Sequence, residues 1–170
     1  TIRKGDLLIK ANTCIMPQHM AILTTDNRTE VRVIKRPKVA ILPTGSELVP
    51  PGNPVPRGLL VESNGVMIEA QITAMGGEAH LLPVLVDDRA LITKTILEAL
   101  SWADMLIING GNSKGSEDYS IEILEELGHV LVYEVDYAPG KHTMVAGVNG
   151  KPMLGSVGHP GAAECSIEWY

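Results

Sequence analysis

The sequence predicts an α/β domain, a three-layer α/β/α sandwich around a mostly parallel sheet, with a short mixed segment in front of it. Three observations predict this class. Short continuous apolar runs such as Lys38 to Leu42 and Met105 to Ile108 have the composition of strands buried on both faces. Amphipathic stretches of helical period lie between such runs. Strands alternating with helices at this spacing build a parallel sheet covered on both sides, and one tight hairpin adds an antiparallel piece.

The elements follow in order. Residues 1–36 hold alternating stretches (Asp6 to Lys10, Glu30 to Ile34) among Gly5, Asn12, Pro17 and Asn27, which reads as small strands around a short helix near Gln18 to Leu23. The pattern changes after Arg36-Pro37, where the first sheet strand begins. Ser63-Asn64 offers an N-cap, and residues 64–75 run as a helix whose wet stripe is Glu62, Glu69 and Thr73, stopped by Gly76-Gly77. Ala79 to Val86 reads as a strand, Asp87-Asp88 as a cap, and Ile92, Ile96, Ala99 and Leu100 as the buried side of the helix that follows. After Met105 to Ile108, a glycine-rich loop leads into a helix from Asp118 to Leu127, with Ile121, Leu124 and Leu127 inward and Gly128 as its end. Residues 130–135 form a strand, Thr143 to Val148 and Lys151 to Leu154 flank Asn149-Gly150 as a type I′ hairpin, and a last helix begins near Pro160.

The division is therefore 1–36, the tail of a preceding small β-rich domain, and 37–170, the α/β domain. Thr1 opens no recognisable start and Tyr170 falls inside an apparent helix, so the chain reads as a piece of a longer one. An apolar share of 45% and a charged share of 20% are those of a globular protein, neither disordered nor membrane-embedded. No apolar run approaches the roughly 20 residues that span a bilayer and no signal-peptide pattern is present, so no membrane partner is expected and the expected compartment is the cytoplasm. The 2 cysteines, Cys14 and Cys165, lack partner spacing and read as small buried apolar groups. A net charge of -6 argues against nucleic acid as a partner. An anionic ligand has to be held locally, by backbone amides and one or two placed cations.

Four loops at the predicted carboxyl edge carry unusual residues: Thr44-Gly45-Ser46-Glu47, the run from Gly110 to Asp118, Pro139-Gly140-Lys141, and Gly155 to Pro160. In Gly110, Gly111 and Gly115 the backbone is free to approach a ligand and point its N–H groups inward before a helix N-terminus, which makes an anion cradle. Ser113 and Ser116 add hydroxyls. Glu117 and Asp118 put carboxylates where phosphate is expected, which suggests a bridging Mg²⁺; the competing reading is that Ser116 to Asp118 only cap the helix. Glu47, after a buried strand and a Thr-Gly-Ser turn, is either aimed over the same crevice or a turn-forming acid. Lys141 is either the cation of the site or a solvated lysine. His159, between Gly158 and Pro160, either meets the ligand or caps the last helix.

Taken together, these pieces resemble the molybdopterin molybdenumtransferase family, which includes bacterial MoeA and the E domain of gephyrin. The matching elements are Arg36-Pro37-Lys38-Val39-Ala40 leading to Thr44-Gly45-Ser46-Glu47-Leu48, then Ser63-Asn64, Gly110-Gly111 with Ser113 and Gly115, Asp118-Tyr119, Pro139-Gly140-Lys141, and the turn from Gly155 to Pro160. The resemblance implies an enzyme of molybdenum cofactor biosynthesis, in which Mg²⁺ assists the insertion of molybdate into adenylylated molybdopterin. It implies that Glu47 and Asp118 hold the metal, that Asp118, Glu47 and Lys141 carry the chemistry, and that Thr44, Gly45, Ser46, Gly110, Gly111, Ser113, Gly115, Ser116, Gly158, His159 and Pro160 line the pterin-nucleotide site. It also implies a homodimer whose partner subunit completes the site, so that the excised chain is inactive alone. Set beside the family it resembles, the sequence is expected to lack the small C-terminal β-domain after Tyr170.

The sequence departs from the family's pattern at four places. Ala138 stands where a second cation is often found, His142 follows the lysine in place of proline, and Ser156-Val157 and His159 alter the last turn. Lys114, within the glycine loop, is placed to compensate for the cation missing at Ala138. These departures touch molybdate handling more than nucleotide binding, and they keep open a sensor or carrier module that binds a pterin or nucleotide without transferase activity. A nucleotide pyrophosphatase of the competence-damage type uses a similar strand, turn and acid.

Overall fold

The computed structural model describes residues 2–110 and 119–170, and it divides into two compact units, Thr1–Lys35 and Arg36–Tyr170. The first unit contains one helix, α1 (Pro17–Thr25), with Pro17 in its first turn and no buried residue. The helix expected near Gln18 is present. The strands expected at Asp6 to Lys10 and Glu30 to Ile34 are not: both stretches are irregular and most of their residues are exposed. Alternation alone does not make a strand, because each needs a neighbour to complete its ladder, and the described residues of this unit supply none. Cys14 is exposed and Cys165 only half-buried, contrary to the expectation of two buried thiols; a unit this short has no core to bury Cys14 in.

The second unit is a six-stranded, mostly parallel sheet between two layers of helices. Its strands are β1 (Lys38–Pro43), β4 (Glu78–Leu81), β5 (Met105–Asn109), β6 (Gly128–Tyr133), β7 (Met144–Val148) and β8 (Lys151–Ser156), in the order β4-β1-β5-β8-β7-β6. β4, β1, β5 and β8 run parallel, whereas β7 is antiparallel to both β8 and β6. Positive φ at Asn149 (53°) and Gly150 (74°) gives the type I′ turn of the β7–β8 hairpin. Two short strands, β2 (Leu48–Val49) and β3 (Leu60–Val61), pair apart from the main sheet.

The period of two along β1 divides the core. Ala40 and Leu42 face one layer, where they meet Ile92, Ile96, Ala99 and Leu100 of α3 (Arg89–Trp102) and the cluster extends to Ile123 and Leu124 of α4 (Ser120–Leu127). Val39 and Ile41 face the other, with Ile68 and Ile72 of α2 (Asn64–Ala74) and Ile167 of α5 (Pro160–Trp169). This double burial is why β1 and β5 read as unbroken apolar runs rather than alternating ones.

β4 is shorter than the expected Ala79 to Val86. After the Leu82 amide donates to Ile41 O, the next bond to β1 comes from Leu85 rather than Val84: Leu85 N donates to Pro43 O, and Leu85 faces Thr44 in an isolated bridge, one residue out of step with the ladder. Among the described residues, no helix is long and apolar enough to cross a membrane.

Candidate functional site

The carboxyl ends of three parallel strands are in register: Pro43 pairs with Asn109, and Asn109 with Ser156. The turn after β1 is built on this edge. The Thr44 amide donates to Asn109 O (2.8 Å) and Gly45 N to Leu85 O (3.0 Å), which fixes the turn between the β5 and β4 sides. The Leu48 amide closes it on Gly45 O at 3.1 Å. Gly45 has φ +155°, and a Cβ there would lie 2.8 Å from Glu47 Oε2, so the exposed carboxylate of Glu47 folds back over the glycine. Ser46 and Asp87 bond reciprocally: Ser46 N donates to Asp87 Oδ2 (2.8 Å) and Asp87 N to Ser46 Oγ (3.1 Å). Asp87 therefore braces the turn, while Asp88 alone caps α3 by accepting from Leu91 N at 2.8 Å.

Gly110 joins the next loop to this turn. Its φ is +96°, its amide donates to Ser156 O (3.0 Å), and a Cβ would stand 2.2 Å from Thr44 O. Only glycine fits so close to another backbone. The remaining site expectations on this loop, Gly111, Ser113, Gly115, Ser116 and Asp118, together with Lys114, lie outside the described residues.

Under the edge runs a buried chain of amides. Asn109, 2% exposed, donates through Nδ2 to Ser156 Oγ (3.0 Å) and Val157 O (2.8 Å). Its Oδ1 accepts from Asn64 Nδ2 (3.0 Å), which also donates to Gly158 O (2.7 Å). Ser156 is thus consumed in holding Asn109. Glu62, expected on the wet stripe of α2, is 3% exposed and accepts from Gly65 N at 2.6 Å. It does the work expected of Ser63, whose side chain makes no cap bond.

The Pro139-Gly140-Lys141 turn joins β6 to β7 at the same edge. The Gly140 carbonyl accepts from Thr143 N (2.9 Å) and Thr143 Oγ1 (2.7 Å), and Thr143 Oγ1 meets Ser166 Oγ of α5 (2.7 Å). A Cβ on Gly140 would lie 3.1 Å from the Tyr137 ring. The turn is therefore rigid and carries Lys141 exposed, without a salt bridge among the described residues. His142 is held by Glu134, Nδ1 to Oε1 at 2.9 Å. His159 occupies the N-cap position of α5 ahead of Pro160, but its side chain makes no cap bond; its carbonyl accepts from Ala162 and Ala163. Among the described residues, no three His, Cys, Asp or Glu side chains converge as a metal site.

Asp87, Asn64, Asn109 and Glu62 went unnoticed as site residues in the sequence. One signal was present: Asn109 is a polar residue closing a buried apolar strand, which requires a buried partner.

Sheets of this class receive ligands beyond the carboxyl ends of their strands. The fold and this crowded edge define a three-layer α/β domain of the doubly covered, mostly parallel class. The family model described as "Probable molybdopterin binding domain" matches residues 40–170, and the chain belongs to that family. It is 36% identical over 169 residues to a protein named molybdopterin molybdenumtransferase from Staphylococcus aureus strain COL, covering 99% of this chain and 40% of that one. A Staphylococcus epidermidis protein of the same name is 34% identical over 170 residues, covering 99% of this chain and 41% of the other. Among solved structures, the molybdopterin biosynthesis MoeA protein of Pyrococcus horikoshii superposes with a TM-score of 0.83 at 33% identity, covering 94% of this chain and 39% of that one. The chain thus spans about 40% of the length of the curated relatives it matches.

Proposed function

We propose that this chain is the substrate-gripping part of a molybdopterin molybdenumtransferase in molybdenum cofactor biosynthesis. Adenylylated molybdopterin is bound at the carboxyl edge, its adenylate is cleaved, and molybdate passes to the dithiolene. The observation that carries this reading is the close approach of Gly110 to Thr44, which brings the start of the glycine-rich loop against the turn that ends in Glu47. In this reading Ser113 and the loop amides contact the phosphates, and Thr44, Gly45, Ser46, Gly111, Gly115, Ser116, Gly158, His159 and Pro160 border the ligand. Lys141, on its rigid turn, holds an oxyanion without having to reorganise for it.

Mg²⁺ fits what is described of its residues. Glu47 is exposed and its carboxylate is engaged in no hydrogen bond or ion pair among the described residues, a hard oxygen donor of the kind Mg²⁺ takes singly or in pairs while keeping water. Glu47 and Asp118 would hold the ion, which supplies charge neutralisation for a pyrophosphate brought near a molybdate. The whole protein acts in the cytoplasm as a homodimer, with residues 1–36 as the end of a preceding domain.

Calorimetry tests the reading: the folded full-length protein gives binding heat with molybdopterin-AMP, and Mg²⁺ strengthens it. Absence of heat from a folded sample overturns it. A second reading, a pterin or nucleotide carrier without transfer, is favoured by His142 being tied to Glu134 and Ser156 being buried under Asn109, where neither is presented to molybdate. Release of AMP on adding Mg²⁺ and molybdate to the ligand-loaded full-length protein eliminates it.

A further inference from the structure

Asn64 opens α2 at the centre of this edge and is 7% exposed, yet half of its amide has no partner. Nδ2 donates twice, to Asn109 Oδ1 and to Gly158 O. Both recipients are acceptors: Gly158 O is a carbonyl, and Asn109 Oδ1 is identified as oxygen because the other end of that amide donates to Ser156 Oγ and the Val157 carbonyl. The network therefore leaves no freedom to exchange the oxygen and nitrogen of Asn64. What remains is Oδ1, which is buried and accepts nothing. Native interiors leave few polar atoms in that condition, and those they do leave call for a partner not yet counted.

The position and chemistry of this oxygen restrict that partner. One anchor of Asn64, Asn109, directly precedes Gly110, and the other, Gly158, lies in the turn before α5. The orphan thus sits between the end of β5 and the last turn. A carbonyl oxygen repels phosphate and molybdate, so it belongs to a part of the site that meets a donor rather than an anion. The N-terminal end of α2 disfavours a bare cation, and Glu62 beside it is already taken up by the Gly65 amide. A neutral donor, N–H or O–H, is the remaining match, and an amino N–H is the one that a fused heterocycle supplies.

We propose that Asn64 is a specificity-determining residue whose side-chain carbonyl accepts a hydrogen bond from an amino N–H of the fused heterocycle on the phosphorylated ligand. This rests on the pterin-nucleotide reading above, in which both the adenine and the pterin carry such a group. Calorimetry on the folded full-length protein distinguishes the two sources, with adenosine monophosphate against purine riboside monophosphate, and pterin against its desamino analogue. Loss of the amino group weakens binding about tenfold for one pair in the wild type, and Asn64→Leu erases that preference. Should Asn64→Leu not fold, the wild-type comparison decides.

Equal affinity within both pairs overturns the proposal and leaves the ligand class standing, as long as one compound binds. A preference that survives in Asn64→Leu overturns it by assigning the recognition elsewhere. Binding of Mg²⁺ alone that depends on Asn64 overturns it by making the oxygen a metal ligand. No binding of any of the four compounds by the folded wild type overturns the proposal together with the reading beneath it.

Discussion

The carbonyl oxygen of Thr44 occupies the space that a side chain on Gly110 would need: an ideal Cβ would stand 2.2 Å from it, at a φ of +96°. The ends of β1 and β5 are pressed together there, and the restriction is local. Gly158, also on this edge, has open space around the position of its missing Cβ.

Gly110→Ala should therefore lower stability by roughly 2–4 kcal/mol, from the left-handed backbone and the backbone collision together, whereas Gly158→Ala should stay within about 0.5 kcal/mol. Urea denaturation of the two variants checks this. Equal effects would mean that the ends of β1 and β5 are not in contact.

The reciprocal pair of Ser46 and Asp87 joins the turn after β1 to the entry of α3. Two hydrogen bonds at a partly solvated site should make Ser46→Ala and Asp87→Ala each cost about 1 kcal/mol, with a coupling of about 0.5–1 kcal/mol in the double variant. Additive losses in a double-mutant cycle would show that the pair acts as two separate surface contacts.

In the proposed function, Glu47 is the described carboxylate that would hold Mg²⁺. Glu47→Gln keeps the size of the side chain and removes its charge, so nucleotide affinity should lose its response to Mg²⁺ while stability shifts by no more than about 0.5 kcal/mol, as expected for an exposed residue. Titrations with and without the ion measure it. An unchanged Mg²⁺ response moves the metal away from Glu47.

The parts of the fold that were legible in the sequence are those where one residue type answers one physical demand. Val39 to Leu42 is buried on both faces and so is apolar throughout; Asn149-Gly150 must take positive φ twice. Illegible were the features settled between distant segments. The bonding of β4 to β1 slips by one residue between Leu82 and Leu85, and Glu62 looks like a wet-face acid until α2 docks on the sheet and covers it. In the first unit, alternation at Glu30 to Ile34 described a strand's side chains without its partner. At the site, the turn at Gly45 and Glu47 could be located from its residue types, but the amide chain from Asn64 to Ser156 spans 94 residues at its longest bond, Asn64 to Gly158, and no local spacing reveals it.

Capping of α2 provides a test in which sequence and structure give opposite answers. Ser63 occupies the N-cap position, where a serine usually accepts from the first free amides, yet its side chain makes no such bond. Glu62 accepts from Gly65 N at 2.6 Å instead, and the space is so closed that a Cβ on Gly65 would lie 3.0 Å from its Oε2. A carboxylate at this end also complements the helix dipole. Ser63→Ala should therefore be near neutral, within about 0.5 kcal/mol, whereas Glu62→Ala should cost about 1–3 kcal/mol by leaving a buried amide unpaired. Glu62→Gln keeps the acceptor and loses the charge, which places it between the two. Thermal or urea unfolding of the three variants ranks them, and a larger loss for Ser63→Ala than for Glu62→Ala would return the cap to the serine.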